Sequence, residues 1–218
     1  IIGDGVAGMT AAQEVRKIDK DSQIKILSEE KYLPYYRVKL SHFISKSFKP
    51  EDLLIHNDYW YRERNIDVSL NTKVKGVDVI NSRVVLENGD NINYNKLLIA
   101  TGSSSFIPPV EGADKNGVYA LRSLYDLQNI QAFIKNCEEV AVVGGGLLGL
   151  EAAWALMERG LTVHVVEFSP YLLSRQLDEE LATHIMSKLE EKGLKIHLSA
   201  ASQEILGEES VTGILLKD

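Results

Sequence analysis

The sequence of 218 residues predicts an α/β fold laid down twice, with a small antiparallel β-meander in its first half. Three observations carry this. The spacing G-x-G-x-x-G occurs at Gly3, Gly5 and Gly8 in "IIGDGVAGMTAA", and again at Gly144, Gly146 and Gly149 in "AVVGGGLLGLEAAWAL". Around each copy, short apolar runs alternate with stretches of helical apolar spacing, the pattern of βαβ units on parallel sheets. Between the copies, "KVKGVDVINSRVVLENGDNI" places valines and isoleucines around "NS" and "NGD", two tight-turn signals of a meander.

The elements follow in order. "II" enters the first glycine turn, and "AGMTAAQEVRKI" is helical by spacing. Only two residues precede Gly3, fewer than the ~5–6 of an ordinary strand, so the first strand is expected to lack its beginning. "QIKIL" alternates as a strand, and residues 28–43 are irregular around Pro34. "PEDLLIHNDYWYRERN" is expected to be helical, with Pro50 in the first turn followed by acids. "IDVSLN" is a strand, the meander follows, and "KLLIATG" reads as a buried strand entering a glycine turn. "SSSFIPPVEGADKNG" is the expected linker. The pattern then restarts with "GVYALRS" as a strand, "SLYDLQNIQAFIKN" as an amphipathic helix and "EVAVVGGG" as a strand into the second turn. "LLGLEAAWALMERG" is a helix closed by Gly160. "LTVHVVE" is a strand, "DEELATHIMSKLEEKG" a helix with acids at its start, "LKIHLSA" a strand, and "SQEILGEESVTGILLKD" the beginning of a hairpin.

The bulk properties exclude several classes. Hydrophobic residues make up 44% of the chain, enough for a core, and the net charge of -7 disfavours attraction to nucleic acid or anionic lipid. The single cysteine, Cys137, makes neither an internal disulfide nor a C-x-x-C pair. Its reading is a bystander thiol in a reducing compartment, which makes the expected location cytoplasmic. The longest apolar run, from Val140 to Leu150, is broken by glycines and is too short to span a membrane.

The physical use of the glycine spacing is specific. The first glycine permits a tight turn, the second lets a pyrophosphate approach the backbone, and the third lets helix and strand pack closely. The helix N-terminus then offers free N–H groups to the phosphates. An acid at the end of the next strand accepts from the adenosine ribose. Glycines alone would also serve tight packing with no ligand. Here both copies carry the acid: Glu29, with Glu30 beside it, after the first, and Glu167 after the second. The fold class is therefore two Rossmann-like three-layer ββα dinucleotide-binding domains. Two such sites imply electron traffic between two cofactors. Glu167 repels a 2′-phosphate and so favours NAD over NADP, and Arg175 lies too far along to reverse this.

At this point the chain resembles the FAD- and NAD-dependent pyridine nucleotide-disulfide oxidoreductases, the flavoproteins with two dinucleotide-binding domains. The resemblance rests on both glycine stretches and on "ILSEEKYLPYYRVKLS", "YNKLLIATGSSSFIPP", "VYALRSLYDL", "VVEFSPYLLSRQLD" and "EKGLKIHLS", in the family's order. "LPYYRVKLS" and "LLSRQLD" are most similar to the flavin portion of NADH-dependent nitrite reductase large subunits, with rubredoxin and ferredoxin reductases close behind. The resemblance implies an N-terminal part of an FAD-binding domain over residues 1–108. It implies an NAD(H)-binding domain over 109–218, incomplete at its C-terminal end, so that the chain is truncated relative to the family. FAD would be held by Gly3, Gly5, Val6, Ala7 and Gly8, by Glu29 with Glu30, by Arg37 with Lys39, by the backbone of Val74, and by the Ala100-Thr101-Gly102 turn. NADH would be held by Gly144, Gly145, Gly146, Leu147, Leu148, Gly149 and Glu167. Glu151 matches a family glutamate close to the nicotinamide and the flavin. Two readings stay open for several of these. Arg37 reaches phosphate or pairs with Glu29 or Glu30; Glu151 acts at the nicotinamide or is an exposed helix acid; the tyrosines of "LPYY" pack or stack on flavin.

Departures from the family pattern are equally informative. His42 stands where many relatives carry a lysine that pairs with the glutamate near the flavin. "SSSF" replaces the usual arginine and proline after the "ATG" turn. No cysteine sits near "LPYYRVKLS", so disulfide, peroxide and coenzyme A chemistry are not expected, and neither is a metal site. The family's "GD" motif and C-terminal interface domain lie outside these 218 residues. The implied activity is an enzyme that takes hydride from NADH onto FAD and passes electrons to a protein partner or domain: rubredoxin, ferredoxin, or a sirohaem or iron–sulfur centre. The alternatives are an NADH oxidase acting on oxygen and a non-catalytic, redox-sensing nucleotide-binding module. A homo-oligomer stays open as an assembly.

Overall fold

The computed structural model describes residues 1–217, which gather into two compact units. One comprises residues 1–36 and 49–104; the other comprises 37–48 together with the chain from 105 onward.

In the first unit the chain leaves Ile2 through the glycine turn into α1 (Val6–Ile18) and returns as β1 (Ile24–Leu27). After α2 (Asp58–Glu63), β2 (Ile66–Ser69) pairs in parallel with β1, Ile24 opposite Ile66. Ile2 bridges in parallel to Leu27 on one side and to Ile99 on the other. The meander is β3 (Val74–Asp78), β4 (Arg83–Leu86) and β5 (Asn91–Asn93), antiparallel throughout, with a register shift between Val74 and Gly76. Side chains alternate along a strand, and β1 uses both of its faces. Ile24 and Ile26 pack with Met9 and Ala12 of α1 and Tyr61 of α2. Leu27 and Ile2 pack with Val84 and Leu86 of the meander. Helices, parallel strands and meander thus form three layers, as the spacing predicts.

Two expectations in this unit need correction. Residues 50–65 are not one helix. A 3₁₀ turn covers Pro50–Leu53, and α2 starts afresh where the Asn57 side chain accepts from Trp60 N at 3.0 Å. Between them the backbone is drawn into non-local pairing: Leu54 bridges Tyr35, and Ile55 N donates to Pro34 O. "KLLIATG" is not a buried strand either. It pairs only through Ile99 to Ile2, and Ile99 is 63% exposed, because no further strand lies beside it among the described residues.

The second unit holds α3 (Leu124–Phe133), β6 (Glu139–Val143), α4 (Leu147–Glu158), β7 (Thr162–Val166), α5 (Glu179–Glu191) and β8 (Lys195–His197), followed by a hairpin of β9 (Ala201–Leu206) and β10 (Gly213–Lys217). The sheet β6-β7-β8 is wholly parallel. Val163 and Val165 are buried, as are Leu150, Ala153 and Leu156 of α4, the helix that lies on β7. The opposite sheet face carries polar groups. There His164 bridges the Glu139 carboxylate at 2.7 Å and the His197 ring at 2.9 Å. Residues 111 and 116 make parallel bridges to Glu204 and Ser210. "GVYALRS" forms no strand. Its end is committed to the capping box of α3, where the Asp126 carboxylate accepts from the N–H groups of Arg122 and Ser123 at 3.0 and 2.7 Å.

Residues 37–48 belong to this second unit although they lie in the first half of the sequence. They form 3₁₀ turns at Arg37–Lys39 and Ser41–Phe43, with Leu40 and Ile44 buried. Gln131 of α3 donates to Phe43 O at 2.6 Å and Lys46 O at 2.8 Å, and Arg159 donates to Ile44 O at 3.1 Å. The segment is thereby strapped across α3 and α4.

Candidate functional site

Each glycine turn divides its glycines into packed and open positions. In the first turn, Gly3 has φ +100, and a Cβ there would run into Ala100 O; a Cβ on Gly8 would run into Gly3 O. Gly5 has nothing within 4 Å of such an atom. In the second turn, a Cβ on Gly149 would strike Gly144 O, whereas Gly146 has nothing within 4 Å. Gly5 and Gly146 have extended backbone (ψ 179 and 180) and serve as N-caps of α1 and α4 without any side-chain cap. Packing accounts for Gly3, Gly8 and Gly149, and a φ of +110 accounts for Gly144, where an added Cβ meets nothing within 4 Å. At the middle glycine nothing in the protein requires the missing side chain, and the space lies against the N–H groups of Val6, Ala7, Leu147 and Leu148 that open the two helices. A cradle left open at a helix N-terminus fits an anionic pyrophosphate.

The first turn is closed on its far side by the Ala100-Thr101-Gly102 turn. Ala100 N donates to Ile2 O at 2.7 Å, and Gly102 takes φ +72. Glu29 is exposed beyond the end of β1, while Glu30 accepts from the buried Tyr35 hydroxyl at 2.6 Å. That tyrosine therefore packs rather than presenting a free ring. Val74 is half-buried at the start of β3. Arg37 and Lys39 fall in the second unit, where Arg37 Nη1 lies 3.4 Å from Arg122 O.

The second turn is fixed by a carboxylate that the sequence assigned only to the ligand. Glu167 Oε2 accepts from Gly145 N at 2.6 Å and Oε1 from Ser169 N at 2.7 Å. Leu173 N donates to Gly145 O, and a Cβ on Gly145 would meet Leu172 Cδ2 at 2.6 Å. Both backbone polar groups of Gly145 are thus spent inside the protein. The signal was present in Gly145, the middle one of three consecutive glycines, but its meaning needed the partner 22 residues away.

Burial opposes the charge on Glu167, and the N–H groups of Ser169 and Gly145, with the Ser169 hydroxyl and the Phe168 N–H, outweigh it. The carboxyl is held below its usual range. A carboxyl depressed on folding stabilises the fold above its unfolded pKa, and this is lost as pH falls through the folded value. Thermal stability is therefore expected to fall as pH drops below about 4.5. In E167Q that dependence flattens, at a cost near neutral pH of about 1 kcal/mol. Calorimetric melts of both proteins from pH 7 to pH 3 check this; parallel curves would exclude the clamp.

Glu151 lies one turn into α4, exposed, and its Oε2 accepts from Ser41 Oγ at 2.8 Å. His42, at the family's lysine position, instead meets Lys46 Nζ at 2.6 Å. Among the described residues no cluster of His, Cys, Asp and Glu is arranged to hold a metal, and no helix is long and apolar enough to cross a membrane.

Comparison with known proteins agrees with this geometry. The family described as pyridine nucleotide-disulphide oxidoreductase matches residues 1–218. The chain is 39% identical over 222 residues to an NADH oxidase of Methanocaldococcus jannaschii, covering 98% of this chain and 50% of that protein. It is 38% identical over 220 residues to a nitrite reductase [NAD(P)H] of Bacillus subtilis, covering all of this chain and 27% of that protein. Among solved structures, a ferredoxin reductase from Rhodopseudomonas palustris superimposes with a TM-score of 0.93 at 28% identity, covering 99% of this chain and 54% of the other. The chain spans half or less of the length of these two relatives.

Proposed function

The chain belongs to the pyridine nucleotide-disulphide oxidoreductase family, and from that premise we propose that it is the dinucleotide-binding portion of an NADH-dependent flavoprotein reductase. The observation that carries this is the pair of turns whose middle glycines, Gly5 and Gly146, cap a helix N-terminus in an ordinary extended conformation with nothing within 4 Å of an added Cβ. In this reading Gly3, Gly5, Val6, Ala7 and Gly8 hold the FAD pyrophosphate, and Glu29 its ribose. The Ala100-Thr101-Gly102 turn backs the site, with Val74 and Glu30 at its margins; the family resemblance adds Arg37 and Lys39 as FAD contacts. Gly144, Gly146, Leu147, Leu148 and Gly149 receive NADH on the second turn. Glu167 holds Gly145 in place and discriminates against a 2′-phosphate. Bound FAD supplies a two-electron acceptor that returns electrons singly; the chain supplies position and electrostatics.

The acceptor in this reading is a protein or domain of the rubredoxin, ferredoxin or sirohaem and iron–sulfur type, in the cytoplasm. Oxygen is the second reading, favoured by the 39% identity to a protein named NADH oxidase. The test is the visible spectrum of the full-length protein, then anaerobic titration with NADH. A yellow protein bleached by stoichiometric NADH is expected. A colourless protein, or one that NADH leaves yellow, overturns the proposal. Reoxidation of the reduced protein by rubredoxin or ferredoxin faster than by air separates the two acceptors.

A further inference from the structure

We propose that a cavity between the end of α1 and α2 binds a phosphate dianion, either free or as the terminal group of a small monoester. The cavity lies at the opposite end of α1 from the first glycine turn, about 15 Å along the helix from Val6 to Arg16. All of its lining residues belong to the first unit, and none belongs to either glycine turn. The proposal therefore stands apart from the assignment of cofactors to those turns.

The cavity measures about 280 Å³, and Arg16, Lys17, Lys20 and Arg64 line it with His56 and Trp60, but no carboxylate does. The chain carries 31 acidic against 24 basic residues, so four cations around one concavity without an acid run against its composition. The acids nearby are engaged outside the cavity. Glu14 pairs with Lys17 at 2.5 Å and Glu63 with Arg64 at 3.1 Å. The Asp19 carboxylate accepts from the amides of Asp21 and Ser22 and from the Ser22 hydroxyl. Lys20 has no ion-pair partner among the described residues.

The donors are held in place by the fold. Arg16 is 8% exposed. Four of its five N–H groups go to the carbonyls of Asp19, Ser22, Arg64 and Asn65, and the fifth, on Nη1, has no acceptor among the described residues. Carbonyls at the end of a helix repel anions, and here Arg16 covers them. The Arg64 guanidinium lies 4.4 Å from the centroid of Trp60, and the His56 ring stacks on the same indole at 3.8 Å. The indole is thus a support for these two groups rather than a platform for a base. Nη1 of Arg64 serves Trp60 O and Glu63, which leaves the N–H groups on Nε and Nη2 without an acceptor among the described residues. Burial and then the Arg64 charge hold His56 below the usual imidazole range, so at neutral pH its ring enters as a neutral hydrogen-bonding group. A monocarboxylate would neutralise one of these cations. A phosphate monoester has close to two negative charges and three acceptor oxygens, which suit a guanidinium fork and an ammonium together.

The experiment is a calorimetric titration of inorganic phosphate, and separately of adenosine 5′-monophosphate, into the full-length protein. FAD and NAD⁺ are kept in excess to fill both glycine turns, and acetate at matched ionic strength is the control. One phosphate site is expected, weakened about tenfold by K20Q and by R64Q and lost in the double variant. Tighter binding of the nucleotide than of inorganic phosphate supports the site with a monoester as its ligand; the reverse order supports it with free phosphate. Equal heats from phosphate and acetate overturn the proposal, as does a phosphate affinity unchanged within twofold in the double variant. Lys20 is exposed and makes no hydrogen bond or ion pair among the described residues, so K20Q keeps the fold and decides the question if R64Q does not fold.

Discussion

Gly146→Ala is expected to leave the second unit folded and to weaken NADH binding by roughly 10- to 100-fold, the cost of one or two charge-assisted hydrogen bonds. The backbone at Gly146 is extended, with φ -80, and the added methyl meets nothing within 4 Å. Alanine in place of glycine at an N-cap costs about 1 kcal/mol, too little to unfold the unit. The methyl would instead occupy the space through which a pyrophosphate reaches the amides of Leu147 and Leu148. Gly149→Ala is the control with the opposite outcome. Its methyl collides with Gly144 O, a backbone atom that cannot swing away, so it should destabilise the unit by several kcal/mol, beyond ordinary overpacking costs of about 1–3 kcal/mol. Gly5→Ala and Gly8→Ala should repeat the contrast for FAD in the first unit. Thermal melts and nucleotide titrations on the four variants check the pattern. Wild-type NADH affinity in G146A would refute the cradle.

Arg16→Met is expected to cost the first unit about 3 kcal/mol or more, since it strands several acceptors at once. Arg16 is 8% exposed on α1. Its guanidinium donates to Arg64 O at 2.7 Å, Asp19 O at 3.0 Å, Ser22 O at 2.7 Å and Asn65 O at 2.9 Å. These carbonyls come from the end of α1, the loop into β1 and the turn between α2 and β2, where Asn65 takes φ +50. One side chain thus closes two chain reversals. Methionine keeps the length and removes every donor. Lysine should rescue little, because a single ammonium cannot reproduce the planar fork. Denaturant unfolding of R16M and R16K measures this; a loss below about 1 kcal/mol would show that water replaces the guanidinium without penalty.

Parts of the fold written in short-range spacing were legible in the sequence. The helices after each glycine turn, the parallel strands, the meander and the final hairpin all follow from periods of 3.6 and 2 read over a few residues. The same holds for Gly160 and Gly193, which take φ +90 and +106 where helices end. Two of the misreadings share one cause. "PEDLLIHNDYWYRERN" has helical composition, yet Leu54 and Ile55 give their backbone to Tyr35 and Pro34. "GVYALRS" has strand composition, yet the amides of Arg122 and Ser123 go to Asp126. In each case a hydrogen bond outside the local pattern overrode propensity.

The candidate site divides in the same way. The two turns, their acids and the difference between packed and open glycines follow from covalent geometry, since only glycine fits against a carbonyl or takes φ near +100. The sequence by itself therefore determined that this protein has two G-x-G-x-x-G turns and which residues form them. Only the tertiary structure decided that residues 37–48 belong with the second unit, that Glu167 pins Gly145, and that Ser41 rather than residue 42 holds Glu151. Those pairings join positions 22 and 110 residues apart. Any of many hydroxyls or amides could satisfy a carboxylate, and which one does is settled by the packing of Leu40, Ile44 and Leu172 around it.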